Sequence, residues 1–508
     1  MTGSNGKKKT AGQDDKHPDG PRKRRNPWLV DNIESLVVAV VLALIIRTFV
    51  VEAFVIPTGS MALSLHGNHF NVTCPNCDTK YTVGFNPDAP VVPERTLCPN
   101  CGERAPGLQS YSPGMPVPDY AGGDRILVNK VLYRFEPARR WDPFVFVNPN
   151  AAAGGPGPPK TTYIKRLTGL PGETLEILRG DVVVDGQVQR KPAAAQSRLW
   201  MPVYDGRRPW RRGQPWRMTG TGWRLEGRRL AADRPGADFV WATYAGRPGV
   251  GDGTIRDTYA YDHDLGVARA PYIDRGAGLN VVTDVRVTFD VTPGATGRLR
   301  VALPRDDEVD HVTLDFDKGR AQVIHEVPVG DTTEERLVGG AELKHWSTDR
   351  THHVSFYRLD YMLVLVIDGE TLVEYDLWRA EGYDAYRELA ARGREYSRLL
   401  REGRDPAPNE AVAGYRKSGV SIGAAGGRLE LADLRIDRDV YYTSPGQRAS
   451  GGNHYVGPTQ IPQGYCFAMG DNSPESYDSR YWGLVPAENL IGKGLVIWWH
   501  PLRTRLIH

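Results

Sequence analysis

Val55-Ile-Pro-Thr-Gly-Ser-Met61 follows directly on an apolar run and ends it in a turn. Pro57 fixes its own φ and removes an N–H donor, and Gly59 tolerates conformations that other residues avoid, so Pro-Thr-Gly-Ser stops whatever element precedes it. A serine in such a turn, Ser60, is presented to its surroundings and is a candidate nucleophile held just above a membrane. On its own it is also an ordinary turn residue. Its reading depends on what stands on either side.

Upstream, Leu36-Val-Val-Ala-Val-Val-Leu-Ala-Leu-Ile-Ile46 is eleven apolar residues long, short of the roughly 20 that span a bilayer. Counting from Trp28 reaches that length and takes in Asp31, Asn32 and Glu34, which sit near a helix end where they can reach the interface. A cleaved signal peptide or a buried core helix is the alternative. Residues 1–25 carry eight lysines and arginines against Asp14, Asp15 and Asp19, and no apolar stripe. This basic tail, 1–27, predicts a cytoplasmic N-terminus. Residues 28–54 then form one transmembrane helix and an outer-interface segment with Arg47 and Glu52, and the remainder lies outside. Net charge over the 508 residues is only +3, so nothing global points to nucleic acid.

Downstream, Cys74-Pro-Asn-Cys77 and Cys98-Pro-Asn-Cys101 are separated by twenty residues. Two matching C-x2-C knuckles offer four thiolates to one tetrahedron, so residues 71–108 read as a zinc ribbon, with two disulfides as the rival reading. Four protein ligands leave no open position, so the metal is expected to be structural, one zinc per chain. The fifth cysteine, Cys466, reads as a core residue.

Residues 120–190 carry a strand pattern. Thr161-Thr-Tyr-Ile-Lys-Arg-Leu167 alternates, placing Tyr163, Lys165 and Leu167 on one face. Asp181-Val-Val-Val-Asp-Gly186 reads as a hairpin. From 196 to 442 short alternating strands recur, among them Val285 to Val291, Leu299 to Leu303, Val312 to Phe316, Leu363 to Ile367 and Leu429 to Leu431, broken by one helix near 383–402. Strands with turns between them argue for a two-sheet β-sandwich, and the pattern loosely resembles concanavalin-like or laminin-G-like jelly rolls. Its tryptophans are expected in core or hairpin packing. From about 443 the first pattern resumes: Gly464-Tyr-Cys-Phe-Ala-Met469 delivers Gly470-Asp-Asn472, and Ser476-Tyr-Asp-Ser-Arg480 follows.

The serine turn, Tyr163-Ile-Lys-Arg166, Gly470-Asp-Asn472 and Ser476-Tyr-Asp-Ser-Arg480, in that order, resemble type I signal peptidases, over roughly residues 32–70, 120–190 and 445–500. A serine hydroxyl needs a base, and a lysine can be that base only if burial keeps it neutral. The resemblance implies Ser60 as nucleophile and Lys165 as general base. It implies an oxyanion site made by the Ser60 backbone N–H and the Thr58 hydroxyl, where Thr58 replaces the more familiar serine. Ser476 is expected to orient the lysine, Asp478 and Arg480 to form a structural ion pair, and Gly470, Asp471 and Asn472 to form the supporting turn. Met61 is expected to line the shallow substrate pockets. Ser473-Pro-Glu475 departs from the family's Arg-Asp-Asn.

The expected fold is therefore mainly β. An antiparallel peptidase domain (55–70, 109–195 and 443–508) stands on one helix and is interrupted by the ribbon, 71–108, and by a jelly-roll-like sandwich, 196–442. The implied activity is membrane-bound removal of signal peptides from exported preproteins that carry small residues before the cut, with no cofactor for the chemistry. The lipid bilayer, the secretion translocon and a glycan on the sandwich are the implied partners, and the inner membrane is the implied location. A related Ser/Lys processing protease of narrow specificity, or a catalytically silent envelope glycan-binding protein, is the alternative. As an insertion, the sandwich is expected to be replaceable by a short linker without loss of activity.

Overall fold

Pro27–Ile45 is helical, and a π-helical turn, Ile46–Val50, continues it. The helix begins nine residues before the apolar run and so reaches about 28 Å at about 1.5 Å per residue. Its segment Asn32–Val50 has a mean hydropathy of 2.4 and lies exposed, so by length and composition it is able to cross a membrane. The computed structural model describes residues 27–85, 97–103, 119–149, 161–246, 253–262, 280–347, 350–401, 418–443, 457–499 and 504–508, less 221, 234, 294, 295, 330, 331, 344 and 345. The basic tail before Pro27, most of the 148–160 loop, and residues 86–96 and 104–118 of the ribbon and its exit lie outside these.

The rest of the described chain is mainly β. One antiparallel sheet runs in the order Val51–Val55, Arg125–Asn129, Leu490–Trp499, Pro143–Val147, Thr162–Gly169, Tyr465–Met469 and Val485–Pro486. A short strand, Arg505–Leu506, pairs beside Leu490–Trp499. Both faces of the lysine strand, Thr162–Gly169, are covered. Ile164 packs with Ile56, Met61, Leu65, Val128 and Val145, while Tyr163 and Leu167 pack with Phe144, Phe146, Ala468 and Trp482. Lys165, between these residues in the strand, is buried with them.

A small sheet, Thr459–Gln460, Thr174–Leu178, Asp181–Val184 and Gln187–Val188, stands beside it. Its central hairpin is buried on both sides, which explains its nearly unbroken apolar run. Leu175, Ile177, Val182 and Val184 pack with Trp141, Phe467 and Met469. Leu178 and Val183 enter the other core, that of the two larger sheets.

Those two sheets comprise most of residues 201–438. One has the order Trp223–Glu226, Arg229–Ala232, Leu429–Arg438, Val285–Pro293, His352–Leu359, Met362–Ile367, Glu370–Asp376, with Met201–Asp205 also paired to Leu429–Arg438. The other runs Trp216–Thr219, Val240–Tyr244, Ser421–Ala425, Arg298–Arg305, Glu308–Asp315, Arg320–Val329, Thr332–Glu342. The alternating residues read from sequence (Val287, Phe289, Val301, Leu303, Leu314, Leu365, Leu431) share one core. Trp216, Trp223 and Trp378 are buried in it, and Trp210 and Trp346 pack against it. The helix expected near 383–402 spans Leu377–Arg401 and is broken at Gly382, whose φ is 83°. It starts earlier because Leu377 and Trp378 anchor a first turn in the core.

Candidate active site

Ser60 occupies a 3-10 turn, Gly59–Met61, entered from Thr58 in extended conformation. Ala62 N–H closes the turn on the Gly59 carbonyl at 2.9 Å. Asn472 holds it from across the chain: its backbone N–H donates to the Ser60 carbonyl at 3.1 Å and its side-chain amide to the Gly59 carbonyl at 3.1 Å. Gly470 makes this approach possible. A Cβ there would stand 2.3 Å from the Ser60 carbonyl oxygen and 2.3 Å from Ser476 Oγ, well inside contact distance.

Lys165 reaches the same point from the middle of its strand. It is 2% exposed, and its Nζ donates to Ser60 Oγ at 2.5 Å. Loss of water disfavours the ammonium most; Asp478 opposes that, Arg480 reinforces it and Asp471 opposes it. The balance pushes the amine down from 10.5 to about 8. A serine hydroxyl against a buried amine whose affinity for its proton is lowered is what acyl transfer without histidine requires.

Two buried ion pairs brace the site. Arg166 Nε and Nη2 meet both oxygens of Asp471 at 2.7 Å, and Nη1 donates to the Trp141 carbonyl at 2.7 Å and the His508 carbonyl at 2.9 Å. Arg480 forks onto Asp478 at 2.8 and 2.6 Å, and the same carboxylate accepts the Gly470 N–H at 2.9 Å. Such pairs add little net stability over an apolar equivalent, but removing one partner costs about 3–5 kcal/mol. Their use here is to fix position. Ser473, in the departing Ser-Pro-Glu segment, fits locally: its Oγ accepts from Arg480 Nη1 at 2.5 Å and from the Thr443 N–H at 2.8 Å.

Other expected site residues fall differently. Thr58 is exposed beside the serine. Ser476 is buried, but its Oγ makes no hydrogen bond, so a contact to Lys165 is not formed in this structure. Met61 does not line a surface pocket. Its side chain is fully buried beneath the turn with Ile56, Leu65 and Ile126, because the 3-10 turn directs it into the sheet core. The partner of Asp471, Arg166, was within the quoted motif without an assigned role. Three further residues near the site, Tyr259, Tyr261 and Asp262, come from the middle of the two-sheet segment. They carry no local signal.

The four paired cysteines are buried, free and gathered, with all Sγ atoms within 4.8 Å of one another. Cys74 and Cys101 are 3.4 Å apart and Cys77 and Cys98 3.6 Å. A disulfide needs about 2.05 Å, whereas zinc at about 2.3 Å from each sulfur separates them by about 3.8 Å. The donor set fits a tetrahedral metal. The knuckle asparagines are buried against residues 205–212. Asn76 pairs with the backbone of Arg212 in both directions (2.8 and 3.1 Å), and Asn100 accepts from the Asp205 N–H at 2.9 Å and donates to the Arg208 carbonyl at 3.1 Å.

A mainly β fold brings a serine turn against a buried lysine, a pairing that suits one kind of chemistry, acyl transfer with an amine as base. The comparisons narrow it. The family described as signal peptidase, peptidase S26, matches residues 111–202 and 419–499. Signal peptidase I of Leptolyngbya laminosa is 29% identical over 171 residues, 34% of this chain and 57% of that protein. Signal peptidase I of Aquifex aeolicus is 56% identical over 39 residues, 8% of this chain and 15% of that protein. The chain thus spans little more than half of the first relative and a small part of the second. These similarities support a type I signal peptidase. The laminarinase catalytic domain of Thermotoga maritima covers 47% of this chain and 98% of its own at 10% identity, with a TM-score of 0.27, which is too low to carry an argument.

Proposed function

We propose that this chain is a membrane-bound serine endopeptidase that removes signal peptides from exported preproteins, with Ser60 as nucleophile and Lys165 as general base. The observation that carries the reading is the 2.5 Å contact between a fully buried lysine and Ser60 Oγ. The neutral amine takes the hydroxyl proton as Oγ bonds to the scissile carbonyl carbon. The Ser60 N–H and the Thr58 hydroxyl hold the oxyanion. The resulting ammonium returns the proton to the departing amine, leaving an acyl-enzyme. Water, deprotonated by the same amine, attacks that ester and restores Ser60. Ser476, close to Gly470 and without a partner, is available to orient the lysine once substrate arrives. Substrates are preproteins with small residues before the cut.

The N-terminal helix is the single anchor, with its basic tail in the cytoplasm and the catalytic residues on the outer face. Cys74, Cys77, Cys98 and Cys101 hold one zinc, which closes the ribbon and takes no part in the reaction. Residues 55–70, 109–195 and 443–508 are the peptidase, and 196–442 is an inserted sandwich. Its shared contacts with the hairpin favour a scaffold role over glycan capture.

Purified Ser60→Ala and Lys165→Ala enzymes should each lose cleavage of an Ala-x-Ala precursor by at least about 10⁴-fold, since members of such a unit fail together. Near-normal processing by Ser60→Ala would sink the assignment.

A further inference from the structure

Residues 255–262 leave the two-sheet segment and run to the catalytic turn. At their base Asp257 grips Asn280, accepting its backbone N–H at 2.8 Å and its side-chain amide at 2.7 Å. Arg438 Nη2 donates to the Thr258 carbonyl at 2.7 Å, and its guanidinium lies 5.0 Å over the Tyr259 ring. The far end meets three parts of the site. Tyr259 OH donates to the Asp471 carbonyl at 2.7 Å. Tyr261 lies so close to Gly59 that a Cβ on that glycine would stand 2.1 Å from the ring, and its carbonyl accepts the Gly84 N–H at 2.8 Å. Asp262 Oδ1 accepts from Asn472 Nδ2 at 2.6 Å.

The last contact forms a chain. Asp262 fixes the Asn472 amide, and that amide, together with the Asn472 backbone N–H, holds the Gly59 and Ser60 carbonyls. Asp262 is 7% exposed and Asn472 fully buried, so the hydrogen bond operates away from water, where its geometry is most constraining. The Asn472 amide oxygen, Oδ1, has no hydrogen-bond partner, so the amide's orientation depends on its nitrogen contacts.

We infer that the two-sheet segment is built into the active site: residues 259–262 set the position of Ser60 through Asn472 and Asp471, with Asp262 and Tyr259 as positioning residues for catalysis. This rests on the peptidase reading above. Neither residue touches the reacting atoms. Their loss leaves the nucleophile in place chemically but free to drift from the lysine, and a displacement of about 1 Å costs about 10²-fold in rate.

The test uses the full-length protein in detergent and a fluorogenic peptide with alanine at the first and third positions before the cut. Asp262→Ala should lower kcat by about 10–100-fold with KM within about twofold. Asp262→Asn, which keeps an acceptor oxygen, should recover most of the loss. Tyr259→Phe removes one hydroxyl only and should lower kcat several-fold. It keeps the inference testable if Asp262→Ala does not fold. In the Asn472→Ala background, Asp262→Ala should cost little more, because the two act in series. Unchanged kcat in both Asp262→Ala and Tyr259→Phe, with Ser60→Ala inactive, overturns this inference and leaves the peptidase reading intact. An active Ser60→Ala overturns that reading instead. A loss in Asp262→Ala that follows the unfolded fraction and is not recovered by asparagine also overturns the inference, because it assigns the residue to folding alone.

Discussion

At the scale of single residues, the titration of Lys165 makes the sharpest prediction. Only the neutral amine accepts the Ser60 proton, so kcat/KM should climb about tenfold per pH unit below about 8 and level off above it. A flat profile from pH 6 to 10 would remove the lysine from the mechanism. The same burial acts on stability. The folded-state value lies below the unfolded one, so between about 8 and 10.5 the unfolded chain holds the extra proton. The cost is complete below 8 and fades as pH rises to 10.5. Lys165→Met should therefore be more stable than wild type at pH 7, by up to about 3 kcal/mol, with the gap shrinking by pH 10 in denaturant titrations. The positions of Ser60, Lys165, Gly470 and the Asp478–Arg480 pair were legible in the sequence only jointly, through the order of motifs that resembles type I signal peptidases, since Ser60 alone reads as an ordinary turn residue. Asp262 was not: it lies 210 residues from its partner Asn472, and nothing local distinguishes it from a surface aspartate.

Among the elements, the ribbon offers a test that does not depend on activity. Metal analysis should find one zinc per chain, and Cys98→Ser should lose it. For so small a unit metal binding is folding energy, so limited proteolysis should then cut between residues 71 and 108. Two disulfides by mass spectrometry would exclude the metal. The repeated Cys-Pro-Asn-Cys gave the thiol tetrahedron but not the use of its asparagines, which pair with the backbone of residues 205–212. That loop's place depends on packing rather than on any motif. The 174–184 hairpin shows the same boundary. Its strands were readable, but an apolar run does not say that its two faces enter different cores.

For the whole molecule, these contacts change what excision should do. Replacing residues 198–441 by a linker would bare Leu178 and Val183 and remove both carboxylates, Asp360 and Asp439, that meet the buried Lys191. It would also remove residues 259–262. We expect the shortened protein to insert in membranes yet cleave at under about 1% of the wild-type rate; full activity would restore the view of a detachable insertion. The fold class and the strand inventory were visible in the alternation of the sequence. The joining of its parts was not, because interfaces arise from tertiary pairing that periodicity does not encode. The Tyr261 ring leaves another trace. It fills the space where Cβ atoms of Gly59 and Gly84 would stand, at 2.1 and 2.4 Å. Two glycines in separate elements thus answer to one aromatic ring in a third. In descendants of this chain the three positions should change together: a lineage that sheds the ring is freed to place larger residues at Gly84, and one that keeps it inherits all three as a single heritable unit.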